Sequence, residues 1–328
     1  MRRISAAIII VLSTSSVSLS GDYAGYAGAF LRNGVGARAL GMGGAFTAVA
    51  EGIDAVYYNP AGLGFIPKTM AGFSYKSLSL DRHFGHIAVA FPIRNEAAMG
   101  ASWLNFGVSD VPMRGQSRQM LGEVGNSSNA FELSFGKALS EMFSLGGKIR
   151  YIQEKFDDLQ SFTVGMDLGA IARPHKYASL AGVIQNLGSK HQWNGGEYWS
   201  QGTTYEESFP LVMKFGAAGY LVDDKIIPAI DLETSDKGQL KFRGGVEFWY
   251  IKKAIRQVED EYEEDLYIEV EEDVRVAGLR IGMDRENPTF GASLIQEIKN
   301  VSLSLDYAYL VGREGTSAGH LFTLGFVF

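Results

Sequence analysis

The chain has 328 residues, among them 40 Gly, 20 Phe and 15 Tyr, with 8 Pro, no Cys and a formal charge of −7. The missing cysteines exclude a disulfide scaffold and thiolate chemistry, and an acidic chain without a basic stripe excludes nucleic acid as a partner. Abundant Gly and aromatics at a mean hydropathy of −0.00 fit a helical globular domain poorly and suit a β-barrel with one apolar and one wet face; barrels of this length are commonly one domain.

In chain order, residues 1–20 read as a signal peptide. Arg2 and Arg3 precede an apolar run from Ala6 to Leu12, and Ser18 and Ser20 stand at −3 and −1 of a cleavage that leaves Gly21 first. No later run of eighteen apolar residues argues for a membrane helix, and no Cys at the cleavage site accepts a lipid anchor. Residues 21–68 are rich in Gly and Ala and show no sustained period of two, which predicts a compact plug segment whose small side chains let the backbone pack closely on an inner wall.

From residue 69 to 328 the pattern repeats. Fourteen strands are predicted, near 70–80, 83–93, 97–107, 129–139, 143–156, 160–173, 177–187, 208–221, 225–233, 239–250, 274–284, 288–298, 300–311 and 320–328, most close to the ~9–11 residues that a tilted membrane strand needs. The last of them alternates Phe322, Leu324, Phe326 and Phe328 and ends the chain on an aromatic. The fold class is therefore all-β, a transmembrane antiparallel barrel of about fourteen strands with an N-terminal plug, placed in the bacterial outer membrane with lipid as its surroundings.

Connections test the count, because such barrels have short periplasmic turns and longer external loops. Turns at 94–96, 140–142, 174–176, 222–224 and 299–300 fall on one side, and the long segments 108–128, 188–207 and 312–319 fall on the other. The exception is 251–273, a strongly acidic insertion where a short periplasmic turn belongs. Alternation of Leu266, Ile268 and Val270 predicts a hairpin running beyond the membrane with a solvated face; a docking arm for a basic partner or a cation site are the sharper readings, although the spacing matches no calcium loop.

Charges alternating with apolar residues must face the lumen, since a lipid-facing charge at mid-membrane costs ~2–4 kcal/mol. Lys148, Arg150, Asp167, Lys214, Lys241, Arg243, Glu247, Arg280 and Asp306 are assigned there, with Glu132 and Asp231. Both signs of charge predict a packed interior more than an open pore.

Asn59-Pro60-Ala61-Gly62 is a turn signature, with Pro fixing φ and Gly permitting a positive φ; plug architecture is preferred over ligand contact. Tyr57 and Tyr58 fill the lumen or line a path. The glycine-rich stretch lacks the Gly-Lys-Ser/Thr ending of a phosphate loop. Five His, none beside a Ser in a nucleophile motif, predict no enzyme, and no metal or cofactor set is expected. Met113, Met120, Trp193, Tyr198 and Trp199 in the external segments are candidate contacts to protein partners, or members of the interfacial aromatic girdle.

The stretch Gly36-Ala37-Arg38-Ala39-Leu40-Gly41-Met42-Gly43-Gly44-Ala45-Phe46-Thr47-Ala48-Val49-Ala50, followed by Asp54-Ala55-Val56-Tyr57-Tyr58-Asn59-Pro60-Ala61-Gly62-Leu63, resembles the PorV/PorQ family within the broader FadL-like group of outer-membrane proteins. The resemblance continues through 244–250, 277–282 and 303–309, and the chain's shortness favours the PorV/PorQ branch. It implies a fourteen-strand barrel with an N-terminal plug and, for PorV members, an adaptor of type IX secretion that engages exported cargo and machinery. For FadL-like members it implies instead uptake of hydrophobic small molecules through an opening in the wall, with the Asn-Pro-Ala segment near the ligand route. The insertion at 251–273 departs from the family pattern.

Overall fold

The computed structural model describes residues 25–78, 82–94, 96–157, 159–194, 202–259, 267–312 and 317–328. The expected signal peptide, the tip of the acidic insertion at 260–266, and Tyr198 and Trp199 lie outside the described residues.

Among the described residues sixteen strands are formed: β1 (Met70–Ser77), β2 (His83–Ile93), β3 (Ala97–Arg114), β4 (Met120–Ser140), β5 (Phe143–Phe156), β6 (Leu159–His175), β7 (Ala178–Leu187), β8 (Lys190–Asn194), β9 (Thr204–Ser208), β10 (Val212–Gly219), β11 (Ile226–Ser235), β12 (Gly238–Glu259), β13 (Tyr267–Asp284), β14 (Asn287–Ile298), β15 (Val301–Leu310) and β16 (Gly319–Val327). Fourteen of them close an antiparallel barrel in chain order, and β8 with β9 make a separate two-stranded sheet. The final strand closes the ring, pairing β1 from Met70↔Val327 to Ser77↔His320, so the first and last strands of the barrel present no open edge to lipid.

Period-two alternation decides the faces. Outward residues such as Leu133, Val164, Phe215 and Leu279 are exposed, whereas the residues between them are buried. Trp103, Phe131, Tyr151 and Phe162 form a belt of neighbouring rings around the outside of β3–β6, with centroids 6.0 to 6.5 Å apart. Amphipathic rings at that height mark a membrane interface.

Two expected loops contain strands, and the acidic insertion pairs as a hairpin. Residues 108–128 continue β3 and β4 as a two-stranded ribbon, paired from Val108↔Asn126 to Arg114↔Met120, above the aromatic belt. Residues 251–259 and 267–275 likewise pair from Ile251↔Arg275 to Glu259↔Tyr267 on the opposite side, a ribbon of roughly 30 Å at ~3.3 Å per residue. Outside the bilayer both faces of the β3–β4 ribbon are wet, so the apolar alternation that identifies a spanning strand disappears there and the sequence reads as loop.

The second difference reshapes the mouth. Pairing of β6 with β7 begins only at Met166↔Leu187, and beyond Leu187 the chain turns inward through Gly188, at φ 73°. The β8–β9 hairpin then lies on the inner face of β6: the Lys190 N–H donates to Thr163 Oγ1 at 3.1 Å, and His191 Nδ1 lies 2.7 Å from Ser161 Oγ. The described parts of this segment, 188–194 and 202–207, thus fold into the lumen instead of standing above it as an external loop.

Residues 25–68 fill the lumen as short helical turns, among them α1 (Ala37–Gly41) and α2 (Ala55–Tyr58). Val35, Met42, Phe46, Val49, Val56 and Leu63 are fully buried. The segment enters at the periplasmic end, where a Cβ on Gly64 would meet Ser144 and Lys137 beside the 141–142 turn, and its other end, at Gly28, packs on Phe209 behind the inward hairpin. Glycine makes the fit possible on both sides: a Cβ on Gly282 of β13 would lie 2.2 Å from Gly43 N, and one on Gly146 of β5 2.3 Å from the carbonyl carbon of Pro60.

Candidate functional site

The lumen is organised by three charged clusters that join plug to wall. In the first, Lys148 and Arg150 of β5 face Glu132 of β4 and Asp167 of β6, with Lys148 Nζ 3.2 Å from Asp167 and Arg150 Nη2 2.9 Å from it. Lys148 also donates to the Tyr57 carbonyl at 2.9 Å. In the second, Arg243 of β12 reaches Glu233 at 2.6 Å and Asp284 at 3.0 Å, with Lys214 and Lys241 3.5 and 3.7 Å from Glu233. The third is shared with the plug: Arg38 donates to Glu247 at 2.6 Å and to Glu51 at 3.0 Å, Glu51 also holds Arg275 at 2.9 Å, and Arg280 lies between Glu247 and Asp306.

All eleven charges assigned to the lumen by alternation lie inside the barrel, ten of them in ion pairs with opposite charges and Asp231 bonded to the plug. Alternation could not reveal the plug side of the third cluster. Trp249 was also overlooked, although it alternates with Glu247; its ring sits 5.0 to 5.5 Å from the guanidinium carbons of Arg38, Arg275 and Arg280, an arrangement in which the cations lie against the negative ring face.

The Asn-Pro-Ala-Gly segment builds a 310 helix, Pro60–Phe65, capped by Asn59, whose Oδ1 accepts from Ala61 N at 3.1 Å. Asn59 Nδ2 donates to Thr47 O at 3.0 Å and contacts Ala170 O at 3.4 Å. Gly62 does not adopt a positive φ; its need is space, since a Cβ there would lie 2.1 Å from Ala50 O. Tyr57 and Tyr58 are buried edge to face, 4.9 Å apart, and their hydroxyls donate to the carbonyls of Leu31 and Val35. They pin the upper plug and also border a small chamber.

Two cavities flank the plug. The outward one, about 620 Å³, lies between the plug and the external ends of β1, β12–β13 and β15–β16, with Phe30, Leu78, Phe106, Leu310 and Val311 among its walls. Among the described residues six cationic side chains border it, Arg32, Lys76, Arg82, Lys241, Arg243 and Arg285, against one carboxylate, that of Asp284. It continues past Leu40 and Gly43 into the chamber beside Tyr57 and Tyr58. The inward cavity, about 160 Å³, lies at the periplasmic end among Arg38, Glu51, Asp54, Trp249, Arg275 and Asp306.

Burial would raise the Glu51 carboxyl, but Arg275 and Arg38 outweigh it and hold it down at about 2. Burial, reinforced by Asp306, pushes Asp54 up to about 7 against the weaker pull of Arg38 and Arg280.

The candidate contacts separate. Met113 and Met120 are exposed on the β3–β4 ribbon, whereas Trp193 is half-buried on the inward hairpin beside His191, with ring centroids 5.4 Å apart. His191 itself is fully buried against Phe209, its Nε2 3.2 Å from Glu154. Ser161, His191 and Glu154 thus meet through the fold rather than through a sequence motif. Ser161 is fully buried and borders none of the cavities above. No group of His, Asp and Glu among the described residues is arranged to hold a metal ion.

No family model matches the chain, and no curated protein matches it. Solved structures do. The CymD monoaromatic hydrocarbon channel is 12% identical over 90% of this chain and 97% of its own, with a TM-score of 0.58. The toluene transporter TbuX of Ralstonia pickettii is 12% identical over 90% and 98%, at 0.56, and a FadL homologue of Pseudomonas aeruginosa is 11% identical over 88% and 97%, at 0.55. At these identities the likeness is one of fold. A closed fourteen-strand barrel with an apolar, aromatic-belted exterior and this fold is a transmembrane β-barrel of the bacterial outer membrane, similar in architecture to the FadL-type channels.

Proposed function

We propose that this barrel is a plugged channel for the uptake of small apolar molecules, and that it has no catalytic role. The observation that carries the reading is the outward cavity, whose volume of about 620 Å³ is in the usual range of small-molecule sites, roughly 300–1,000 Å³. Its apolar walls suit the body of such a molecule, and its cationic border suits a molecule with an anionic end. The structures similar in fold include proteins named for monoaromatic hydrocarbons and toluene, which supports a ring-sized cargo. The test is uptake of radiolabelled toluene and benzoate by cells with and without the barrel. Expression should raise uptake, and Leu78→Trp or Leu310→Trp, which fill the cavity, should return it about fivefold toward background. Equal uptake with and without the barrel overturns the reading.

A second reading, adaptor in protein secretion with exported cargo or secretion machinery as partner, is supported by the PorV/PorQ resemblance of residues 36–63 and by the β3–β4 ribbon, which carries exposed Met113, Met120 and Leu121 beyond the aromatic belt. Affinity purification from outer membranes tests it: recovered translocon subunits should disappear when 109–124 is replaced by a short turn, and unchanged recovery sinks this reading.

A further inference from the structure

The inward cavity is organised differently from the outward one. Its charged lining comprises two cations, Arg38 and Arg275, and three carboxylates, Glu51, Asp54 and Asp306. Both arginines are engaged by Glu51, and Arg38 also by Glu247. Asp306 is bonded by Ser293 and lies 3.6 Å from Arg280. Asp54 differs from all of these. It is 6% exposed, it lines the cavity, and it makes no hydrogen bond or ion pair among the described residues. The backbone of Gly36 closes its other side, so that a Cβ there would meet the carboxylate oxygens at 2.2 and 2.4 Å.

A buried carboxylate without a partner costs several kcal/mol unless it is neutralised. The local count leaves one negative charge uncompensated when Asp54 is ionised. The remaining walls are apolar or hydroxylic, with Ile53, Met70, Trp249 and Ile295 on one hand and Ser302 and Ser304 on the other. The volume of about 160 Å³ is close to that of an engineered cavity, roughly 150 Å³, that admits benzene.

We propose that this cavity is a binding site for a ring-sized organic ammonium ion, its charge placed on Asp54 and its apolar body held against Ile53, Trp249 and Ile295. The cationic border of the outward cavity disfavours such an ion, so the ligand reaches the site from the periplasm, where the cavity is framed by Met70, Ser302 and Val327 at the ends of β1, β15 and β16. The site goes beyond the uptake reading and does not depend on it.

The experiment uses the full-length barrel in detergent, titrated calorimetrically at pH 8 with benzylamine and with its neutral counterpart, benzyl alcohol. Wild type should bind benzylamine at least about tenfold tighter than benzyl alcohol. Asp54→Asn should remove that preference by weakening benzylamine alone, while gel mobility before and after heating shows the barrel still folded. Ser302→Phe, which narrows the cavity without touching the charge, should weaken both ligands. Absence of saturable benzylamine binding, equal affinities in wild type, or a preference that survives in Asp54→Asn overturns the proposal. None of these readouts changes with transport.

Discussion

The carboxylate of Asp231 on β11 is held by Thr47 of the plug twice, through the main-chain N–H at 3.0 Å and through the hydroxyl at 2.6 Å. The Phe46 N–H donates to the same oxygen at 3.1 Å. Asp231→Ala leaves two buried N–H groups without an acceptor, each costing about 1–3 kcal/mol. The midpoint of heat-induced unfolding, read from gel mobility, should fall. An unchanged midpoint shows that the plug is not held there.

Glu247 serves two guanidinium groups, Arg38 of the plug and Arg280 of β13. Breaking a buried pair by removing one partner costs about 3–5 kcal/mol, and here one deletion takes the nearest carboxylate from two cations, leaving Arg38 to Glu51 at 3.0 Å and Arg280 to Asp306 at 3.6 Å. Glu247→Ala should therefore loosen the plug more than any other single change in the lumen. Planar-bilayer recording should show ion conductance well above that of wild type; a silent variant refutes this role.

Gly282 approaches the plug so closely that even alanine collides with Gly43 N, whereas a Cβ on Gly244 meets nothing nearer than Phe242 at 3.5 Å. Gly282→Ala should expose the plug to added protease while leaving the barrel folded, and Gly244→Ala should behave as wild type. Equal resistance of both variants contradicts the packing described.

Asp54 has a folded-state pKa near 7 against an ordinary value of 3.8. A raised pKa means that the neutral form is favoured in the folded protein, so the contribution to stability is fully present below about pH 3.8 and is lost as pH rises through 7. The groups around it are Arg38, Arg280, Asp306 and, beyond Arg38, Glu51, which ionises near 2 and stays charged across this window. Asp54→Asn should thus be more stable than wild type at pH 8, by on the order of 3 kcal/mol, with the difference closing near pH 4. Denaturant titrations at the two pH values check the sign.

The spanning strands were legible because lipid on one side and a polar lumen on the other force a period of two on every one of them, as in Leu240 to Tyr250. The lumen assignments of Lys148, Arg150 and Glu247 followed from the same constraint. Where the lipid ends the constraint ends, and residues 108–128 lost their signature although the strands continue, whereas the alternation of Leu266, Ile268 and Val270 announced the hairpin that pairs 251–259 with 267–275. The inward turn after Leu187 left no local mark, because Gly188 followed by a polar stretch reads equally as an external loop. Glycine in residues 36–64 announced close packing but not the atoms approached. Asp54 sat in view within the quoted motif, but its isolation is a three-dimensional fact, created by the pairing of Arg38 and Arg275 elsewhere.

The seam between β1 and β16 has a bearing on how the molecule is put together. Both of its strands touch the plug, Gly72 lying against Ile53 and Thr323 accepting the Ala37 N–H at 2.9 Å, and β1 begins only a few residues beyond the plug's last helical turn. The closing seam of the ring is thus also part of the plug's socket: the pair of strands that joins the barrel's beginning to its end does so over the segment that immediately precedes it in the chain.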